Sequence, residues 1–198
     1  MRTREGNKEQ AILDAAVKVF AESGYHAAKI HKIAELAGIA TGSIYSYFPN
    51  KQQIILAIFD GVWKQLYLQI SVIEQSSDIS VIQKFDAIID MVLDLFTEDK
   101  DRALVFVNEE NHVMRDYPDE FTPYFERFMT TGEEIVRQGI KEGKFGDGIK
   151  IEILRTWMLG GIRSLLVAWA LEPKKYPLSH VREDLKNFIK HGIQKQQP

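Results

Sequence analysis

Apolar residues recur every three to four positions along most of this 198-residue chain, which is the spacing of one face of an α-helix. Polar, glycine and proline positions interrupt this pattern and divide it into separate helices. We find no alternating strand pattern, internal repeat or low-complexity tract. The sequence therefore predicts an all-α fold of nine helices. They span residues 9–23, 30–37, 42–48, 50–75, 85–96, 103–115, 121–142, 149–171 and 179–193.

The most informative stretch is residues 30–51, which reads IHKIAELAGIATGSIYSYFPNK. Its first part places apolar residues on one helical face, and Gly38 follows where a helix that ends in a left-handed residue favours glycine. Thr41 is positioned to cap a second helix over 42–48, which Pro49 ends. Two short helices around a glycine turn predict a helix-turn-helix.

The second helix of this motif has the composition that suits a DNA major groove. Ile44 and Phe48 can face inward, and the remaining side chains are mostly small or polar, so the backbone can approach DNA closely. Hydroxyl groups suit base edges and phosphates, and amides at a helix start favour phosphate. The predicted DNA-binding residues are Lys29, His31, Thr41, Gly42, Ser43, Tyr45, Ser46, Tyr47 and Lys51.

These residues resemble the signature of the TetR family of bacterial repressors, strongly over the N-terminal quarter of the chain. The matching positions are Ile33-Ala34, Ala37-Gly38-Ile39, Gly42-Ser43-Ile44-Tyr45-Ser46-Tyr47-Phe48 and Lys51. The chain departs from the family just before the second helix, where Ala28 and Lys29 replace the usual threonine. We therefore expect that helix to lack its usual hydroxyl cap.

The resemblance implies a ligand-responsive transcriptional regulator, most simply a repressor that a small hydrophobic effector releases from a palindromic double-stranded DNA operator. It places a helix-turn-helix domain at residues 1–51 and a helical effector-binding and dimerisation domain at 52–198. The last two helices would form the homodimer interface. Asn50 is expected to cap the long helix that follows the motif, and this helix would act as a lever between the two domains.

The resemblance also implies an effector pocket among the middle helices. Large apolar side chains with a few polar groups suit a hydrophobic ligand, although for any single aromatic residue we favour plain core packing as the explanation. The candidate lining residues are Trp63, Tyr67, Phe96, Phe106, Asn108, His112, Phe125, Phe128, Met129, Trp157 and Arg163.

Polar residues within the apolar helices sharpen this prediction. Arg163 lies in an apolar helix, and a buried arginine needs a carboxylate or phosphate partner, either across a dimer or on a ligand. Because the helix pattern resembles the fatty-acyl-responsive, FadR-like members of the family, we hypothesise an acyl-CoA or a similar lipid-like effector. Glu109, Glu110 and His112 form a polar cluster that we interpret as a solvated helix face rather than a metal site, and we expect no cofactor.

Composition excludes several other classes. The chain has no cysteine, so it has no disulfide framework, thiolate zinc site or cysteine nucleophile. Residues 1–51 carry seven basic and five acidic side chains, whereas the whole chain has a net charge of −3. This distribution suits a mildly basic DNA-binding domain followed by an acidic domain. The N-terminus is unlike a signal peptide, and the apolar run 151–171 contains three charges, so we expect a cytoplasmic protein without a membrane span.

Two other function classes remain open. A helical enzyme would need a convergent catalytic set, and the sequence has no nucleophile motif, phosphate loop or HExxH. A helical interaction protein that has lost DNA binding is disfavoured by Tyr45, Tyr47 and Lys51. Activation in place of repression also stays open, because it depends on operator position.

Overall fold

The structure is a computed structural model that describes residues 2–97, 99–121 and 123–193. Those residues form nine α-helices and no strand, which confirms the all-α prediction. Most boundaries lie within a few residues of the predicted ones. In chain order the helices are α1 Arg2–Ala27, α2 Ile30–Ala37, α3 Thr41–Ile44, α4 Lys51–Gln75, α5 Val81–Thr97, α6 Lys100–Asp116, α7 Pro123–Lys141, α8 Ile151–Leu171 and α9 Leu178–Ile193.

A sharp break at Gly24 interrupts α1. Its backbone angles are φ 73° and ψ 157°, a conformation that only glycine adopts without strain. The sequence predicted that the first helix ends here, but it did not predict the helical turn from Tyr25 to Ala27 that follows. The amide of Ala28 donates to the carbonyl of Gly24 at 3.1 Å, so residues 24–29, which we call the α1–α2 connection, are themselves hydrogen-bonded.

Helix α2 has the predicted bounds and the predicted ending. Gly38 adopts the left-handed conformation, with φ 68° and ψ 31°. The amide of Ile39 then donates to the carbonyl of Ala34 at 3.0 Å. This i→i−5 hydrogen bond is typical of a helix that ends in a left-handed glycine. This turn places the start of α3 directly after α2.

Helix α3 is shorter than predicted. Ala40, with an extended ψ of 140°, is the residue that precedes the helix, and Thr41 is its first helical residue. The prediction that Thr41 caps this helix is therefore wrong. After Ile44 the chain continues in a hydrogen-bonded turn, in which the amides of Tyr47 and Phe48 both donate to the carbonyl of Ile44 at 2.9 Å. Such tightening of the last turn is common at helix ends.

Helix α4 begins as the sequence predicts. The side-chain oxygen of Asn50 accepts from the amide of Gln53 at 2.9 Å, which is an N-cap bond. The side chain of Gln53 does not complete a capping box, because it donates to Glu120 at 3.0 Å instead. None of the described helices is long and apolar enough to cross a membrane.

The chain divides into two compact units. The first unit comprises Met1–Val62 with Asp99–Thr122, and the second comprises Trp63–Glu98 with Pro123–Pro198. The division thus passes through α4 and assigns α6 to the same unit as the helix-turn-helix. The functional boundary predicted after residue 51 stays a prediction. Each unit has its own buried apolar residues, including Phe20, Ile33 and Phe59 in the first and Leu66, Ile89 and Leu93 in the second.

Candidate nucleic-acid interface and effector region

The helix-turn-helix turns its apolar side chains inward and its polar side chains outward. Ile44 is fully buried and Phe48 is nearly so. Tyr45 is 52% exposed, and Tyr47 is half-buried. Of the other predicted DNA contacts in and after α3, those exposed to solvent are Thr41, Gly42, Ser43 and Ser46. The sequence-predicted recognition surface is therefore exposed, although its individual contacts with DNA stay predictions.

Lys29 and His31 lie at the start of α2, and both are exposed. Lys29 precedes the helix in an extended conformation, and no side chain caps the first turn. The expected loss of the hydroxyl cap is thus confirmed. Uncapped amides at a helix start, together with an exposed lysine, form a suitable environment for a DNA phosphate.

Lys51 has an internal role that the sequence did not indicate. Its ammonium group donates to the backbone carbonyls of His26 at 2.9 Å and Ala28 at 3.1 Å. It also lies 4.8 Å from the centre of the Tyr25 ring. Burial lowers the pKa of this ammonium group, and the nearby charge of Lys29 lowers it further. Lys51 therefore holds the α1–α2 connection, and its predicted phosphate contact stays a prediction.

Glu109 on α6 holds the same connection from another side. Glu109 is only 7% exposed, and its Oε1 atom accepts a hydrogen bond from the backbone amide of Tyr25 at 3.0 Å. Its Oε2 atom lies 3.6 Å from Nδ1 of His112. A Cβ atom on Gly24 would lie 3.7 Å from Oε1, so the chain passes close to the carboxylate. The buried acid satisfies an amide that the helix break leaves unpaired.

This burial overturns the interpretation of the polar cluster as a solvated face, because Glu109 and Glu110 are both 7% exposed. The sequence did contain a signal. Val105, Glu109 and Val113 are spaced by four and share one helical face, and the two valines are almost fully buried. The described residues contain no group of three or more side chains that could hold a metal ion.

Tyr25 completes the environment of the connection. Its ring meets the ring of Phe20 edge-on at 5.6 Å and that of His26 at 5.2 Å. Burial raises the pKa of the Tyr25 phenol well above its usual value, and a hydrogen bond with Tyr117 raises it further.

The second unit contains a buried aromatic cluster among the predicted pocket residues. The ring of Trp63 lies 4.8 Å from that of Phe125 and 5.5 Å from that of Phe128. Phe96 and Met129 are also buried, and Tyr67 is half-buried beside Tyr124 at 5.8 Å. Burial suits both core packing and pocket lining, so the pocket stays a prediction.

The other predicted pocket residues have different environments. Trp157 is 45% exposed, and its ring lies 5.6 Å from that of Phe188. Arg163 is half-buried, rather than buried as the sequence suggested. Three further candidates belong to the first unit: Phe106, which is buried 5.9 Å from the Phe59 ring, and Asn108 and His112, which are both exposed.

The nine helices of the described residues, with an exposed helix-turn-helix among them, are typical of a DNA-binding transcriptional regulator. The chain belongs to the tetR family of bacterial regulatory proteins, whose sequence profile matches residues 12–58. A second profile, described as the C-terminal region of YsiA-like proteins, matches residues 64–192. The chain is 26% identical to the fatty acid metabolism regulator protein of Bacillus subtilis (strain 168), over 94% of this chain and 95% of the relative.

Solved structures give the same assignment. The fatty acid degradation regulator FadR from Bacillus halodurans has a TM-score of 0.83 and 25% identity, over 93% of this chain and 95% of that one. FadR from Bacillus subtilis in complex with stearoyl-CoA has a TM-score of 0.80 and 26% identity, over 93% and 98%. This chain is similar to both along nearly its whole length.

Proposed function

We propose that this protein is a homodimeric repressor that a long-chain acyl-CoA releases from a palindromic operator. The observation that carries the proposal is the similarity, over 93% of the chain, to a regulator whose solved structure holds stearoyl-CoA. As a DNA-binding regulator it would act in the cytoplasm. We assign it no catalytic role, because its relatives are transcriptional regulators.

The aromatic cluster of the second unit supports an apolar effector. The rings of Phe125 and Phe128 both lie within 5.5 Å of the Trp63 indole, and all three residues are buried. Ligand sites for apolar molecules are lined mainly by such side chains. Helix α4 contributes residues to both units, and we assign it the coupling between effector binding and DNA binding.

Exposed apolar residues on α8 and α9 support the dimer. Ile153 is 65% exposed, Leu171 is 70% exposed and Phe188 is 65% exposed. A Cβ atom added to Gly160 would meet no atom within 4 Å, so this part of α8 leaves space for a close neighbour. Large exposed apolar side chains on neighbouring helices are typical of a protein–protein interface. A twofold dimer formed there would present two recognition helices to two DNA half-sites.

A single binding experiment tests the proposal. Purified protein is titrated with DNA from upstream of its own gene and with random DNA at one salt concentration, and acyl-CoAs of several chain lengths are then added. We expect preferential binding of a dimer to one fragment, and its release by long-chain acyl-CoA. By linkage, the same fragment should weaken acyl-CoA binding by the same factor. Failure of every acyl-CoA to release the DNA would refute the effector assignment.

The dimer is tested separately. Phe188→Glu places a charge on the exposed apolar face, whereas Lys174→Glu changes the charge of an exposed residue between α8 and α9. We expect the Phe188 variant to sediment as a monomer and to lose operator binding, while the Lys174 variant remains dimeric. A dimeric Phe188 variant with normal operator binding would contradict the assignment of the interface to this face.

A further inference from the structure

Four side chains of the second unit form a cationic and aromatic cluster on α4 and α7. The rings of Tyr67 and Tyr124 lie 5.8 Å apart, inclined by 34°. The guanidinium carbon of Arg127 lies 5.7 Å from the centre of the Tyr67 ring and 5.8 Å from that of Tyr124. The ammonium group of Lys64 lies 5.8 Å from the Tyr124 ring. Both cations are exposed, and both tyrosines are half-buried.

The two cations of this cluster differ from the neighbouring arginines. Arg155 is paired with Glu126 at 3.0 Å and with Glu133 at 3.2 Å, and Arg137 is also paired with Glu133. In contrast to Arg137 and Arg155, neither Lys64 nor Arg127 forms an ion pair within 4 Å among the residues that the structure describes. Their charge is therefore not neutralised by an acidic side chain there, and an incoming anion would not have to displace one.

The cluster follows the buried aromatic residues along the same two helix segments. On α4, Trp63 is buried and the next residue, Lys64, is exposed. On α7, Phe128 is buried and the preceding residue, Arg127, is exposed. Each helix thus presents an apolar side chain to the interior and a cation to solvent within one turn. A ligand with an apolar tail and an anionic, aromatic head has the matching arrangement.

We propose that Lys64, Tyr67, Tyr124 and Arg127 bind the nucleotide head of the acyl-CoA, an inference that rests on the proposed function. Arg127 and Lys64 neutralise its phosphates, for which a guanidinium group offers a planar fork and an ammonium group a point charge. A tyrosine ring stacks on the adenine, as aromatic side chains do with bases in general. The acyl chain then extends towards the buried rings of Trp63, Phe125 and Phe128.

Calorimetric titration of the full-length protein tests this inference with three ligands: stearoyl-CoA, S-stearoyl-pantetheine, which lacks the nucleotide, and free CoA. The double variant Lys64→Ala/Arg127→Ala removes both cations, and Lys141→Ala removes an exposed cation from the far end of α7 as a matched control. We expect the double variant to bind stearoyl-CoA at least about tenfold more weakly than the wild type and S-stearoyl-pantetheine equally well. The control should bind both ligands normally.

A pair of substitutions at Tyr67 tests the stacking. Tyr67→Phe keeps the ring and should retain the affinity for stearoyl-CoA and for free CoA, whereas Tyr67→Leu should weaken both and leave S-stearoyl-pantetheine unaffected. Equal affinity of the wild type and the double variant for stearoyl-CoA would overturn the inference while leaving the effector assignment intact. Equal losses for stearoyl-CoA and S-stearoyl-pantetheine would also overturn it. Absence of acyl-CoA binding by the wild type would refute the proposed function itself.

Discussion

The two compact units use charged side chains in opposite ways. In the first unit, Glu109 and Lys51 direct their charges to backbone groups of the α1–α2 connection. In the second unit, charged side chains pair with one another at a partly exposed surface. Acidic residues spaced by four on α5 meet basic residues spaced by four on α9, and these are Asp86, Asp90 and Asp94 with Lys190, Lys186 and Arg182.

This charge ladder runs antiparallel along the two helices. Lys190 lies 2.6 Å from Asp86, Lys186 lies 2.6 Å from Asp90, and Arg182 pairs with Asp90 and Asp94. The exposed fraction of these side chains ranges from 12% for Lys186 to 63% for Asp94. The repeat of four on both helices fixes their register, since a slip by one turn would leave a charge at each end without a partner.

The difference between the two units indicates which charged side chains contribute most to stability. A buried carboxylate that satisfies a backbone amide leaves that amide unpaired when it is removed, and burial without a partner costs about 1–3 kcal/mol. An exposed ion pair contributes only about 0–1 kcal/mol, because water and salt screen it. Counting charged pairs would rank the second unit as the more dependent on electrostatics, whereas burial ranks the first unit higher.

The largest effect is expected for Glu109→Ala, because it leaves the amide of Tyr25 without its acceptor beside the Gly24 break. We expect a loss of about 2–3 kcal/mol in the free energy of unfolding, measured by urea denaturation. Glu109→Gln keeps an acceptor oxygen and should lose about half as much. A loss no greater than that of the exposed Asp94→Ala variant would contradict the comparison between the two units.

A smaller effect on stability is expected for Lys51→Ala, which removes the donor to the carbonyls of His26 and Ala28. The expected loss is about 1–2 kcal/mol in the free energy of unfolding. If Lys51 also contacts a phosphate, affinity should fall similarly for operator and random DNA, and the salt slope should fall by about one unit. Lys32→Ala, which breaks an exposed pair with Glu35, is the control. Unchanged stability would indicate that the two carbonyl bonds are unimportant.

Within the ladder, Lys186→Met should have the largest effect, because its side chain is only 12% exposed and it bonds to Asp90. The hydrogen bond to Asp90 raises the pKa of this lysine against the opposing effect of burial. We expect a loss of about 1 kcal/mol at low salt, which methionine limits by keeping the packing of the side chain. An effect larger than that of Glu109→Ala would reverse the comparison.

The smallest effect is expected for Lys190→Gln, whose partner Asp86 and own side chain are both partly exposed. The free energy of unfolding should fall by at most about 0.5 kcal/mol at low salt and by nothing measurable near 1 M salt, where screening is nearly complete. Thermal unfolding at several salt concentrations measures this directly. A loss that persists at high salt would show that Lys190 acts through packing.

Local signals in the sequence were sufficient to predict nine helices and the helix-turn-helix motif, but not the bounds of α1 and α3. The position of Gly38 correctly indicated a left-handed turn, and that of Asn50 the start of α4. Ile44 and Phe48 were correctly assigned to the interior. The length of α3 was not predictable in this way, because its last turn tightens around the carbonyl of Ile44 before Pro49. A helix pattern gives the position of apolar side chains but not the hydrogen-bond pattern of a short helix.

The sequence by itself thus determined the all-helical fold, the helix-turn-helix and its outward polar face, because periodicity and caps act between residues within a few positions of one another. Only the tertiary structure decided that Glu109 is buried against Tyr25, 84 positions away, and that Lys51 bonds to the carbonyls before α2. It also decided that Trp157 is exposed beside Phe188. Which helix covers a charged or aromatic side chain depends on contacts between distant segments, and no local pattern specifies those contacts.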